Sequence, residues 1–272
     1  MLGSFVIVFR EVIEAGLIVG IVLAASREIT DSKRWVAIGV LAGVLGSLVV
    51  AMFAGAITEA FAGAGQELFN ASVLAAAVIM LTWHNVWMAR HSREIVRDMH
   101  NIGVAVSAGT KPLTALGVVV GLAVLREGSE VVLFLSGVLA SGTTTTAILA
   151  GGALGILAGA AFSALTYYGL LAIPLRHIFG VTSVLIALLA AGMAAQAAQF
   201  LDAAGLINVL NQVLWDTSAV LPQNSIIGRV LHTLIGYNDR PTEMQLLVYI
   251  ATLAVMTGLM RLARPQPVRA VA

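Results

Sequence analysis

Cysteine is absent from this chain of 272 residues. That absence excludes disulfides, thiolate metal sites and cysteine nucleophiles. Charge is scarce as well: Asp, Glu, Lys and Arg make up 11% of the sequence, against about 25% in a soluble domain. The net charge is +1 and no basic run occurs, so nothing points to nucleic acid. The apolar N-terminus lacks a basic leader region and a small-residue cleavage site. It reads as a retained first span, not a signal peptide. What the chain does have is apolar: 59% hydrophobic residues, with 27 glycines suited to close helix contact in lipid. Runs of about 20 apolar residues recur, the mark of an all-α polytopic membrane protein.

Seven transmembrane helices are expected, at about 2–26, 35–58, 68–89, 113–139, 147–173, 180–201 and 244–262. Connections one, three and five plus the C-terminus hold Lys or Arg at 27, 33, 34, 90, 93, 97, 111, 176, 261, 264 and 269. The other side holds only Arg229 and Arg240. Positive charge marks the cytoplasmic side, so the N-terminus is expected outside and the C-terminus inside a cell membrane.

The sequence repeats. R-E-V-I-E-A-G-L-I-V-G at 10–20 aligns with R-E-G-S-E-V-V-L-F-L-S at 126–136, a shift of 116. Weaker matches follow at 39–46 with 152–159 and at 72–77 with 183–188. Spans 1–3 therefore match spans 4–6. Three is odd, so the second copy lies upside down in the membrane, and a substrate site is expected where the copies meet near the midplane. The organisation is a first repeat at 1–111, an inverted second repeat at 112–201, an extracytoplasmic segment at 202–243, and a seventh helix with a cytoplasmic tail at 244–272. Within that segment, 204–215 and 226–235 read as short amphipathic helices.

Each copy buries an R-E-x-x-E pentad in an apolar run: Arg10, Glu11 and Glu14, then Arg126, Glu127 and Glu130. Six such charges cost on the order of 15–20 kcal/mol near mid-bilayer, so they mark a site and not decoration. In a helix the two glutamates of each pentad share a face, and each arginine reaches the second glutamate four residues on. With all six ionised the sum is −2. A cation between the carboxylates relieves their repulsion, and oxygen donors suit hard metal ions. The alternative is that the pentads are internal ion pairs, but two arginines need only two of the four glutamates. Gly16 and Gly128 read either as sites of local unwinding or as packing glycines.

The pentads in spans 1 and 4 of seven, with the N-terminus out, resemble the oxidase-dependent iron permease family. That family includes the fungal high-affinity iron permease and the permease of bacterial iron uptake systems. The resemblance continues in A-A-G-M-A-A-Q at 190–196, W-D-T-S at 215–218 and G-Y at 236–237. It implies that Glu11, Glu14, Glu127 and Glu130 pass iron, with Arg10 and Arg126 as neutralising partners. It also implies ferric ion as cargo, with no resident cofactor. The implied partners are an extracytoplasmic ferroxidase or peroxidase and an iron-binding protein.

Glu59, Glu67 and Asp202 lie near span ends on the outer side, whose loops total six acidic and two basic residues. They are expected to gather cations at the mouth. His84, beside Trp83 and Trp87, reads as an interfacial anchor, with an exit ligand as the other choice. Gln196 and Gln199 are expected to hydrogen-bond a neighbouring helix, with the pathway as the other choice. Two further functions compete: the same fold carrying manganese or lead, and an intramembrane carboxylate-bridged di-metal oxidase. The latter usually needs Glu-x-x-His pairs, and none follows the four glutamates.

Overall fold

The computed structural model describes residues 1–60, 66–169 and 175–263. The fold is all-helical: α1 (Leu2–Ala25), α2 (Ser32–Ala60), α3 (Gln66–Ser107), α4 (Thr114–Ala140), α5 (Thr145–Tyr167), α6 (Leu175–Ala203), α7 (Ile226–Ile235) and α8 (Glu243–Ala263). Among the described residues, five helices are long and apolar enough to cross a membrane: α2, α5, α8, Gln66–Met88 of α3 and Phe179–Ala203 of α6. This is a multi-pass membrane protein. In lipid a spanning segment must satisfy its own backbone, which is why the apolar runs close into helices. α1 and α4 have 24 and 27 residues, length enough to span, but each carries three charged residues.

Two helix pairs build the frame. α1 lies along α5, and α4 lies along α2. Both contacts depend on glycine. A Cβ at Gly155 of α5 would meet the Phe5 carbonyl oxygen at 2.9 Å, and one at Gly43 of α2 would meet that of Gly121 at 2.7 Å. Those obstacles are backbone, so the helices approach this closely only without a side chain there. Gly16 packs against Ser163 and Gly128 against Ser47, and both helices run unbroken through these positions. They are packing glycines.

The two pairs meet where α1 touches α4; α3 packs on both of these helices, and α6 packs on α3. At one end Met1 meets Gly151, Gln196 of α6 reaches the Ser141 carbonyl, and Gln245 of α8 reaches Gln199. At the opposite end Ser107 of α3 donates to the Ala25 carbonyl, and Gly117 of α4 packs on Trp35. Each end has an apolar core. Ile7, Leu74, Leu81, Phe134, Ile186 and Met256 form the first, at the α7 end. Val22, Val36, Leu116 and Val120 form the second. The pentads fall between them along α1 and α4.

Two expectations need correction. The connection from Arg90 to Lys111 is mostly helix, because α3 runs on to Ser107. No proline interrupts it. It stops where Gly109 takes φ +71° and Thr110 N–H bonds back to the Ala105 carbonyl, a glycine-terminated helix end. The segment 204–215 is not helical. Gly205 and Leu210 both have positive φ, and Asn208 and Asn211 spend their amides on the Gly205 carbonyl and on Asp202. Such local bonds compete with a helix. The segment is tied instead to the start of α8, through Leu214 to Pro241 and Glu243 to Gln212. The second expected short helix is α7, capped by Ser225 and closed by Gly236 at φ 69°.

The expected connection around 62–65, Pro174, Arg264 and Arg269 lie outside the described residues, as do the side chains of Glu59, Arg93, Arg176 and His177.

Candidate metal centre

α1 presents Arg10, Glu11 and Glu14, which are 2%, 1% and 3% exposed. Arg10 donates from Nε to Glu14 Oε1 at 2.8 Å, the i,i+4 pair expected from the sequence. α4 repeats the arrangement: Arg126 Nε lies 3.1 Å from Glu130 Oε1 and 3.9 Å from Glu127 Oε1. The copies differ in cover. The Arg126 side chain is 38% exposed and that of Arg10 only 2%. The Arg126 guanidinium lies 4.1 Å over the Trp87 ring, which stacks on His91 at 5.0 Å.

The four pentad glutamates do converge, and a residue from a third helix joins them. His84 of α3 is 3% exposed. Its Nε2 lies 3.7 Å from Glu11 Oε2 and 3.5 Å from Glu14 Oε2, and its Nδ1 meets Glu130 Oε2. Its ring packs T-shaped against that of Phe134. His84 is therefore not an interfacial anchor, nor does it stand apart from the pentads as an exit ligand. It is enclosed by them. Trp83, 72% exposed, alone keeps the anchor reading.

Donor atoms from Glu11, His84, Glu127 and Glu130 all lie within 4.8 Å of one another. Both oxygens of Glu11, and Oε2 of Glu14, Glu127 and Glu130, are buried without a hydrogen-bond partner among the described residues. Buried carboxylate oxygens are costly unless something positive meets them. Four carboxylates against two guanidiniums leave a deficit of positive charge at this spot, so the donor set fits a metal cation of the oxygen- and imidazole-binding class.

The other residues singled out from sequence sit elsewhere. Glu67 is exposed in the first turn of α3, and Asp202, at the end of α6, accepts from Asn211. Neither belongs to the donor cluster. Gln196 donates to the Ser141 carbonyl at 2.9 Å, and Gln199 accepts from Gln245 at 3.0 Å, so both tie α6 to a neighbour. Both also line a cavity of about 200 Å³ at the α7 end, with Trp215, His232 and Tyr237. The three motifs of the chain's last third meet around it. Gly192 packs on Gly236, and the Thr217 and Tyr237 hydroxyls are 2.7 Å apart. Nearby, hydrogen bonds from Ser218, then from Arg240, pull the Asp216 carboxyl down to about 2.

His84 was the residue the sequence hid. The one available sign was a ring nitrogen in an apolar span, but the tryptophans beside it gave an interfacial explanation. The repeat offered no help either, since the corresponding position on α6 is Ala195.

Comparison with known proteins gives the chain's family. The Iron permease FTR1 family matches residues 1–263. The chain is 33% identical over 253 residues to the ferrous iron permease EfeU of Escherichia coli O6:H1 (strain CFT073), covering 92% of this chain and 91% of the relative. It is 32% identical over 253 residues to the ferrous iron permease EfeU of Shigella sonnei, with the same coverage. With that of Yersinia pestis it shares 31% over 253 residues, 92% of this chain and 89% of the relative. No solved structure matches. With two R-E-x-x-E pentads facing each other and a match along nearly its whole length, this chain belongs to the iron permease FTR1 family.

Proposed function

We propose that this protein imports iron across the cell membrane through the paired pentads. The observation that carries the reading is the convergence of Glu11, Glu14, Glu127 and Glu130, from two helices, around His84, with buried oxygens that make no hydrogen bond of good geometry among the described residues. Arg10 and Arg126 hold part of that charge, and the passing cation neutralises the rest. α1 and α4 cross the membrane with the five apolar helices, giving seven spans with the N-terminus outside.

The repeat is inverted. Exchanging spans 1–3 with 4–6 turns the α1–α5 pair into α4–α2, and both pairs are present. The matching also extends to contacts, one residue off the alignment of 39–46 with 152–159: Gly155 meets the Phe5 carbonyl and Val8 where Gly43 meets the Gly121 carbonyl and Val124. Acidic residues of the outer side, Glu59, Glu67 and Asp202, draw cations towards the mouth. An extracytoplasmic iron-binding protein delivers the ion there.

The family resemblance implies ferric cargo, and an all-oxygen donor set suits hard cations in general. The imidazole of His84 moves the set towards borderline divalent ions, and the relatives quoted above carry ferrous iron in their names. Ferrous ion is therefore the form we assign to the site. Manganese remains the competing cargo, favoured if carboxylates alone make the site.

The test is uptake by purified protein in liposomes, with ferrous ion under ascorbate against ferric citrate. Wild type is expected to take up ferrous ion faster, and the variant with all four glutamates changed to alanine to take up neither. Equal uptake by that variant would refute the proposal.

A further inference from the structure

Glu14 and His84 hold unequal positions in the cluster. The group whose donor atoms approach within 4.8 Å consists of Glu11, His84, Glu127 and Glu130, and Glu14 is not part of it. Glu14 Oε1 is occupied by Arg10 Nε at 2.8 Å, and that arginine is 2% exposed, sealed inside the protein. A buried guanidinium needs its own counter-charge, since breaking such a pair leaves an uncompensated charge in low dielectric. On the second helix the demand is weaker. Arg126 is 38% exposed and has the Trp87 face as well as Glu130. Glu130 is thereby the freer of the two matched glutamates.

His84 fills the gap that Glu14 leaves. It comes from α3, yet it touches both pentads, with Nε2 turned to α1 and Nδ1 to Glu130 of α4. Neither ring nitrogen has a hydrogen bond of good geometry among the described residues, although the ring is 3% exposed. A buried imidazole with nitrogens aimed among carboxylates is a metal ligand's setting.

Resting on the iron-site reading above, we propose that the ion is held asymmetrically. The ligands are three carboxylates and one imidazole, from Glu11, Glu127, Glu130 and His84, while Glu14 stays with Arg10 as its counter-charge. The imidazole then sets selectivity. Carboxylates alone suit magnesium, calcium and manganese, whereas imidazole suits iron, zinc, copper and nickel. His84 is what gives the site its preference for iron over manganese.

The experiment uses the full-length protein in detergent with Mn²⁺ as a paramagnetic probe. Pulsed electron paramagnetic resonance of the wild type is expected to show coupling to an imidazole nitrogen, lost in His84→Gln and kept in His91→Gln. No such coupling in the wild type would overturn the proposal, whatever the variants do. Anaerobic Fe²⁺ binding is expected to weaken about tenfold or more in His84→Gln. His84→Asp is expected to recover part of the affinity while losing the preference for Fe²⁺ over Mn²⁺; an unchanged preference would overturn the selectivity claim.

The double variant Arg10→Met with Glu14→Gln removes the pair and leaves no charge stranded, so it is expected to weaken Fe²⁺ binding about tenfold less than Glu11→Gln does. A loss as large as that of Glu11→Gln would overturn the role given to Glu14. Uptake keeps the two readings apart. Iron import surviving in Glu11→Gln and Glu130→Gln refutes the iron site itself. Import lost in both, with no nitrogen coupling in the wild type, refutes only the part given to His84.

Discussion

Arg10 and Arg126 stand at matched positions but in unlike surroundings, and the difference has a measurable consequence. Arg10→Gln strands the Glu14 carboxylate in a site where both side chains are 2% exposed. Stranding one member of a buried pair costs about 3–5 kcal/mol. Arg126, 38% exposed, is partly screened, so Arg126→Gln is expected to cost about 1 kcal/mol or less. Thermal unfolding in detergent, with both variants side by side, checks this; equal losses would mean that the two arginines share one environment. At this scale the sequence was most informative where charge was least tolerable. The pentads stood out because no apolar span carries three charges without a use for them. His84 stayed hidden because its ordinary explanation, a polar ring at an interface, required no partner. Only closure of α3 against α1 and α4 brings it among the carboxylates.

Helix existence could be read from hydropathy, since lipid forces an apolar run of this length to close its own hydrogen bonds. Helix ends could not. α3 overruns its apolar run by about five turns because its charged continuation is still a good helix former, and hydropathy is blind to that. The 204–215 stretch failed in the opposite sense: its apolar spacing suggested a helix, but asparagine side chains and two left-handed residues claim the backbone first. Packing between elements follows the glycines. Gly43→Ala and Gly155→Ala each push a methyl against a neighbouring backbone, at 2.7 and 2.9 Å. They are expected to destabilise the protein by about 1–3 kcal/mol and to lower uptake. Gly258 of α8 is helical with open space around its Cβ position. Gly258→Ala is expected to stabilise by about 0.5–1 kcal/mol. Melting temperatures of the three variants decide it: a stable Gly43→Ala would dissolve the close α2–α4 contact.

For the whole molecule, the absence of cysteine becomes a tool. Single cysteines can be placed at Lys111, beyond the end of α3, and at Ser218, in the segment between α6 and α7. Seven spans with the N-terminus outside predict that an impermeant maleimide reaches Ser218→Cys in intact cells and reaches Lys111→Cys only after the membrane is opened. Labelling of both, or the reverse pattern, would break the span count and with it the inverted repeat. The all-helical membrane fold class and the family were legible because they rest on long-range patterns of charge and hydropathy. The asymmetry between the two halves was not, since matched motifs conceal unmatched surroundings. The central claim is that iron passes between α1 and α4. Its most direct measurement is radioactive iron uptake into proteoliposomes by wild type, Glu11→Gln and Glu130→Gln at equal protein, changes that remove charge and keep shape. The account predicts that both variants fold and that each loses most of its uptake; full uptake by both would make the pentads structural ion pairs and place the pathway elsewhere.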